Sequence, residues 1–240
     1  MNFPSLPPNA RSQRSDGAEA RERLVLAALR LFAEKGYSAT STREIAQAAG
    51  ANIAAISYYF GDKAGLYREV YTRPAGMPGV QAAQYDQQGM SLRQSLEAFI
   101  TSFIEPLKQG ALMQQCMRLH FREMLEPTGL WAEELEQTIK PAHAGLTAVL
   151  CRHLGLAEAD DGIHRLAFAV TGLPIHLFVC SDVIAAIRPT LTATSSAIDE
   201  EVQVLVGYAE AMVNSESARR AIQGATSPTR AATPTKGKKQ

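Results

Sequence analysis

Thr42-Arg-Glu-Ile-Ala-Gln-Ala-Ala-Gly-Ala-Asn-Ile-Ala-Ala-Ile-Ser-Tyr-Tyr-Phe60 is the stretch that decides the fold. Ser41 or Thr42 can cap a short helix over Arg43–Ala49, and Glu44 sits in its first turn, where a carboxylate suits the positive helix end. Gly50 ends that helix and can take the left-handed backbone conformation that a tight turn needs. Asn52 can cap a second short helix, Ile53–Phe60. Ile45, Ala49 and Ile56 supply one inward apolar face, and small Ala46 lets the two helices cross closely. Two short helices joined by a glycine turn, with a packed inner face and a polar outer one, make a helix-turn-helix pattern.

Working outward, Leu24, Ala27, Ala28, Leu31 and Phe32 fall on one helical face and predict a helix over Ala18–Lys35. Lys35 stands at its negative end, and Gly36 follows as the terminating glycine. Asp62 starts a fourth helix with Lys63, Leu66, Tyr67 and Val70. Two prolines and two glycines between Pro74 and Gly79 should break or kink it. Further helices are expected over Leu92–Lys108, Ala111–Leu125, Leu130–Leu154, Asp161–Ile187 and Asp199–Ile222. Leu92, Leu96, Phe99, Phe103 and Leu107 form a buried stripe on the first of these. No segment alternates as a strand would, so the expected fold is all-α. A three-helix domain with a helix-turn-helix is followed by a larger helical domain.

The 240 residues are 46% hydrophobic and 20% charged, enough for packed cores. Cys116, Cys151 and Cys180 are too few and too scattered for a disulfide framework, which fits a reducing cytoplasm. Met1–Gly17 lacks the apolar stretch of a secretory signal and reads as a disordered arm. The tail from Gln223 to Gln240 reads as a disordered basic segment. Leu166–Ser181 is the most apolar stretch, but it is short and contains Pro174 and His176, so it reads as a buried helix and not a membrane span. The domains expected are therefore residues 18–72 and 73–222, between arms at 1–17 and 223–240.

A formal net charge of zero conceals an asymmetry. Met1–Ala75 carries +3, Gly76–Ser217 carries −9 and Ala218–Gln240 carries +6. A basic front and an acidic middle assign any polyanion to the ends of the chain. In a helix-turn-helix the second helix enters the major groove of double-stranded DNA. Asn52, Ser57, Tyr58 and Tyr59 put polar tips on its outer face, and Lys63 can meet a phosphate from the start of the next helix. Arg11 and Arg14 either reach a minor groove or add nonspecific attraction. Lys236, Lys238 and Lys239 read as solubilising charge.

Leu31-Phe-Ala-Glu-Lys-Gly-Tyr-Ser-Ala-Thr-Ser-Thr-Arg-Glu-Ile-Ala-Gln-Ala-Ala-Gly50, followed by Tyr58-Tyr-Phe-Gly-Asp-Lys63 and Leu66, resembles the N-terminal domain of TetR-family transcriptional regulators over Ala18–Val70. Arg122-Glu-Met-Leu-Glu-Pro-Thr128, Ile139-Lys-Pro141 and Leu154-Gly-Leu156 resemble the CecR-like branch of that family, with its ligand-binding and dimerisation domain. The resemblance implies an all-helical dimer that acts as a ligand-released repressor on a palindromic operator. It implies phosphate contacts at Thr42, Tyr59 and Lys63, and base contacts from Asn52 to Ser57. The DNA-facing set is then Thr42, Arg43, Asn52, Ile53, Ala54, Ala55, Ser57, Tyr58, Tyr59 and Lys63. Ala54 stands where a glycine is frequent and Ser57 where a tyrosine is frequent. The Pro74–Gly79 break departs from the long fourth helix usual in the family.

The last two helices are the dimer candidates. Leu166, Phe168, Val170, Leu173, Leu177, Phe178, Ile184 and Ile187 on one, and Val202, Val204, Leu205, Val206, Tyr208 and Met212 on the other, offer more apolar surface than one core needs. Arg118, Arg122, Glu123, Trp131, His143, Phe168 and His176 are candidate lining residues of an effector pocket. Each also fits a surface ion pair or a satisfied core group. Cys116 with His120, and His176 with Cys180, are spaced i, i+4 and match a Cys₂His₂ metal site. The favoured reading of both cysteines is an apolar core, with no metal. No cofactor is called for. The alternatives are a nonspecific DNA-binding architectural protein and a helical enzyme. The second is disfavoured by the lack of a Gly-rich phosphate loop, a GxSxG or an HExxH.

Overall fold

A computed structural model of the chain describes residues 8–72 and 82–226, with side chains over 17–72 and 84–223. Every regular element among them is helical. The first group is α1 (Pro8–Lys35), α2 (Thr42–Ala48), α3 (Ala54–Phe60) and α4 (Lys63–Thr72). The second is α5 (Ala82–Tyr85), α6 (Leu92–Ile104), α7 (Ala111–Leu125), α8 (Leu130–Glu134), α9 (Lys140–Leu154), α10 (Asp161–Val179), α11 (Ser181–Ile187) and α12 (Ser195–Thr226). The Pro74–Gly79 break, the side chains of Arg11 and Arg14, and Lys236, Lys238 and Lys239 lie outside the described residues.

Several boundaries differ from the sequence expectation. α1 starts at Pro8 and not at Ala18, so the expected arm at 1–17 is helical from Pro8 onward. Proline is tolerated at a helix start because its missing N–H is one that the helix leaves unpaired, and no second proline follows before Lys35. α6 stops at Ile104 because Pro106 cannot donate; a 3₁₀ turn, Glu105–Gln109, completes the segment. The run from Leu130 to Leu154 contains a π turn, Leu135–Ile139. That wider turn accommodates Pro141, which would otherwise clash with the carbonyl of the preceding turn. At the far end, α12 continues to Thr226, four residues into the expected basic tail, through the good helix formers Gln223 and Ala225.

Among the described residues there are two apolar cores. The first joins α1–α4 with Met113, Cys116 and Leu119 of α7 and Leu130 of α8. The second joins α5, α6, α9, α10 and α12 around Phe99, Ile100, Leu146, Val149, Val170 and Val206. α7 therefore sits by sequence in the larger domain and by packing against α1 and α4 of the first. Leu96 and Phe99 are buried on the predicted stripe of α6, and Leu92, Phe103 and Leu107 are partly buried against the same core.

α10 is not the buried helix expected. It breaks from α11 at Cys180, and only one side of it is covered. Ile163, Ala167, Val170 and Leu177 face the second core, while Phe168, Gly172, His176 and Val179 face outward. Val204, Gly207 and Tyr208 of α12 are also exposed, whereas Val202, Leu205 and Val206, interface candidates in the sequence like Val170 and Leu177, are buried in the second core.

Candidate nucleic-acid interface

Ile45 and Ile56 are fully buried beneath α2 and α3, each contributing about 2 kcal/mol by removal from water. The N–H of Glu44 donates to Ser41 Oγ at 3.1 Å, so Ser41 is the cap of α2. Glu44 also pairs with Lys35 of α1, and that ammonium holds its carboxyl below the usual range. Arg23 Nε donates to the Ala49 carbonyl at 3.2 Å and ties the end of α2 to α1. Gly50 turns the chain at φ +60°. Asn52 Oδ1 then accepts from the Ala54 N–H at 2.9 Å and starts α3. Asp62 Oδ1 accepts from the Gly65 N–H at 2.7 Å and starts α4.

This scaffold leaves Arg43, Asn52, Ile53, Ala54, Ser57 and Tyr58 exposed, with Thr42, Ala55, Tyr59 and Lys63 half-buried. Tyr58 is 82% exposed. The ring of Tyr59 instead packs edge-on to Tyr58 and Phe60, and its hydroxyl lies against α1, 3.2 Å from where a Cβ on Gly17 would be. Of the two tyrosines, Tyr58 is the more exposed, and Tyr59 is half-buried. Lys63 Nζ sits 4.3 Å from the centroid of the Tyr37 ring, which holds the ammonium in place at the front of α4. Partial burial pushes its pKa down. Gln47, one turn after Arg43 on α2, is exposed as well; it is absent from the sequence candidates, although its i, i+4 spacing from Arg43 could have placed it on the outer face.

The seven pocket candidates do not converge. Glu123 is 0% exposed and is a structural tie. It accepts from Tyr67 Oη at 2.7 Å, from the Thr128 N–H at 2.8 Å and from the Trp131 N–H at 3.2 Å. One carboxylate thus joins α4, α7 and the start of α8. Burial and the adjacent carboxylate push the Tyr67 phenol well above its ordinary pKa, so it remains a donor. Arg122 and Glu126 lie over Gly36, where a Cβ would be 2.8 Å from the Arg122 guanidinium. Arg118 is exposed and faces Asp182 at 3.4 Å. His143 stacks on Phe168 at 4.5 Å, with its Nε2 2.9 Å from His164 Nδ1. His176 is exposed and turns Nδ1 to its own helix at the Leu173 carbonyl. A groove of about 620 Å³ is lined by Gly162, Arg165, Leu166, Met212 and Ser215, and one of about 470 Å³ by Tyr37, Ser38, Glu126, Pro127 and Thr128. No candidate lines either.

The suggested Cys₂His₂ set is also dispersed. Cys116 is buried in the first core, and His120 stacks on Tyr71 at 4.2 Å with Nδ1 3.0 Å from the Cys116 carbonyl. Burial pushes the His120 pKa down. His176 and Cys180 sit at the far end of α10, and among the described residues no three His, Cys, Asp or Glu side chains gather to hold a metal.

Residues 24–70 match the family described as bacterial regulatory proteins of the tetR family. Residues 92–215 match the C-terminal domain of the HTH-type transcriptional dual regulator CecR. The chain belongs to the TetR family. Its second domain is of the CecR type. It is 35% identical over 156 residues to the dual regulator CecR of Shigella flexneri, covering 60% of this chain and 69% of that one. It is 30% identical over 115 residues to the transcriptional repressor BepR of Brucella suis, covering 44% of this chain and 55% of that one. The fold is shared with PfmR of Thermus thermophilus, a TetR-family regulator, at a TM-score of 0.55, 19% identity and coverage of 80% and 97%. It is shared with the hemolysin II regulator HlyIIR at 0.54, 19% identity and coverage of 79% and 98%. The protein is a DNA-binding transcriptional regulator and not an enzyme.

Proposed function

We propose that this TetR-family chain works as a homodimeric repressor in the bacterial cytoplasm, seated on a palindromic operator and released by a small-molecule effector. The observation that supports it most is the uncovered face of α10 and α12. Phe168 is 66% exposed and Tyr208 57% exposed, beside Val179 and Val204. Gly172 and Gly207 have nothing within 4 Å of where a Cβ would stand, so two helices can approach closely there. A second copy on this face buries it and places two α3 helices for successive major grooves, about 34–36 Å apart or a multiple of that.

Phe168→Glu with Tyr208→Glu is expected to convert the dimer to a monomer on sedimentation and to weaken operator binding at least tenfold. Both residues are exposed, so the protomer keeps its fold. A dimer that survives both substitutions places the interface elsewhere.

The solved relative SmeT holds triclosan, and an apolar small molecule is the kind of effector proposed here. A ligand that favours a spacing unsuited to DNA by about 1.4 kcal/mol lowers operator affinity tenfold. The position of α7 supports a route for that change, since it packs on α1 and is bonded to α4 through Glu123 and Tyr67.

The phosphate contacts have their own test. Lys63→Ala and Tyr58→Ala are each expected to weaken binding about equally on every DNA sequence. Lys63→Ala alone should flatten the salt dependence, by about one unit of log–log slope for each phosphate no longer neutralised. Titrations at several salt concentrations that leave affinity unchanged in both variants would remove these residues from the interface. Repression is read from a promoter reporter, which should rise when the regulator gene is deleted; a fall means activation.

A further inference from the structure

The surface that α2 and α3 turn away from the core is apolar at its centre and polar at its edges. Ile53 is 49% exposed, and Ala54 beside it is exposed too. Neither side chain can donate or accept a hydrogen bond. Asn52, just before them, has already committed its carbonyl oxygen to the Ala54 N–H. Exposed polar side chains accompany them: Ser57 and Tyr58 one turn along α3, and Arg43 and Gln47 on α2. Arg43 and Gln47 make no side-chain hydrogen bond among the described residues, so both are available to a partner.

Core packing gives Ile53 no reason to be isoleucine, because Ile56 fills the core beneath α3. Left in water, its side chain costs free energy. In the major groove only one base-edge group is apolar, the C5-methyl of thymine. We infer that Ile53 and Ala54 read thymine methyl groups, so that each operator half-site carries thymine at the base pairs under the start of α3, recognised by shape and burial and not by hydrogen bonds. The inference rests on the DNA-binding reading and adds the chemistry of the base to it.

The test starts from duplexes enriched out of a random pool by the full-length protein. In the best of these, each thymine is replaced in turn by deoxyuridine, which keeps the pairing and removes only the methyl. At one or two positions per half-site the affinity should fall about fourfold, the worth of one buried carbon, and about sixteenfold when both half-sites are changed. Ile53→Ala should bind the thymine duplex more weakly and should lose most of the difference between the two DNAs, while melting like the parent. Uracil tolerated at every position overturns the inference and leaves the DNA reading intact. A penalty that persists unchanged at every such position in Ile53→Ala also overturns it. A pool with no enriched sequence removes the sequence-specific reading itself.

Discussion

Gly65→Ala is expected to abolish operator binding and to lower the melting temperature of the protein. A Cβ on Gly65 would lie 2.0 Å from the Phe60 carbonyl oxygen and 3.1 Å from its carbon. Both are backbone atoms and no rotamer can move them. Relief requires α4 to shift away from the end of α3, which carries with it Lys63 at the front of α4 and Leu66 in the first core. Overpacking of this kind costs about 1–3 kcal/mol, and the displaced helix spoils the docking surface as well. Gly50→Ala is the informative comparison. Gly50 has a positive φ of +60° but nothing within 4 Å of a Cβ, so alanine there costs only the local backbone term of about 1 kcal/mol. Anisotropy titrations and thermal melts of the two variants should rank Gly65→Ala as much the worse. Parent-like binding and melting by Gly65→Ala would contradict the packing of α3 against α4.

The second large effect is at Glu123. Its carboxylate takes hydrogen bonds from Tyr67, Thr128 and the Trp131 N–H in a fully buried position. Glu123→Ala leaves those donors without a partner and opens a cavity where α4, α7 and α8 meet. Hydrogen bonds to a charged group are worth about 1.5–3 kcal/mol each, and the loss is not additive. The expected destabilisation is about 4 kcal/mol, or roughly 10 °C in melting temperature for a chain of this size. Tyr67→Phe removes one of the bonds and keeps the ring, so it should cost about 1–1.5 kcal/mol. Equal melting temperatures for Glu123→Ala and the parent would mean that Glu123 does not tie these helices together.

These two residues also mark where sequence reasoning ran out. The helix-turn-helix was legible because its determinants are local: Ile45, Ala49 and Ile56 at helical spacing, Gly50 at the turn, and Ser41 and Asn52 within three residues of the N–H groups they accept from. Gly65 was passed over because its constraint is the approach of a carbonyl at a corner between two helices, which no pattern of residue types encodes. In the sequence Glu123 reads as a lining residue of an effector pocket. Its donor Tyr67 lies 56 residues earlier, and only the folded chain brings them together. The other pocket candidates were chosen by residue type, and the fold disperses them over α7, α8, α9 and α10. Pro141 did carry a readable signal, since a proline two residues into a helix must be accommodated by its preceding turn. The excess of apolar residues on α10 is legible in the sequence, but which of them stay uncovered is not, because an apolar side chain on an open face and one in a core look alike in composition.

The central claim is sequence-specific DNA binding by a symmetric assembly of this chain. It is tested most directly by fluorescence anisotropy of the purified full-length protein on DNA from upstream of its own gene, against a shuffled duplex of equal length and composition, at several salt concentrations. The predicted result is tight binding to the upstream duplex alone, saturating at two or four chains per site and weakening steeply with salt. Equal, salt-sensitive binding to both duplexes, saturating with DNA length and not at a fixed stoichiometry, would contradict it and point to a nonspecific DNA-binding protein.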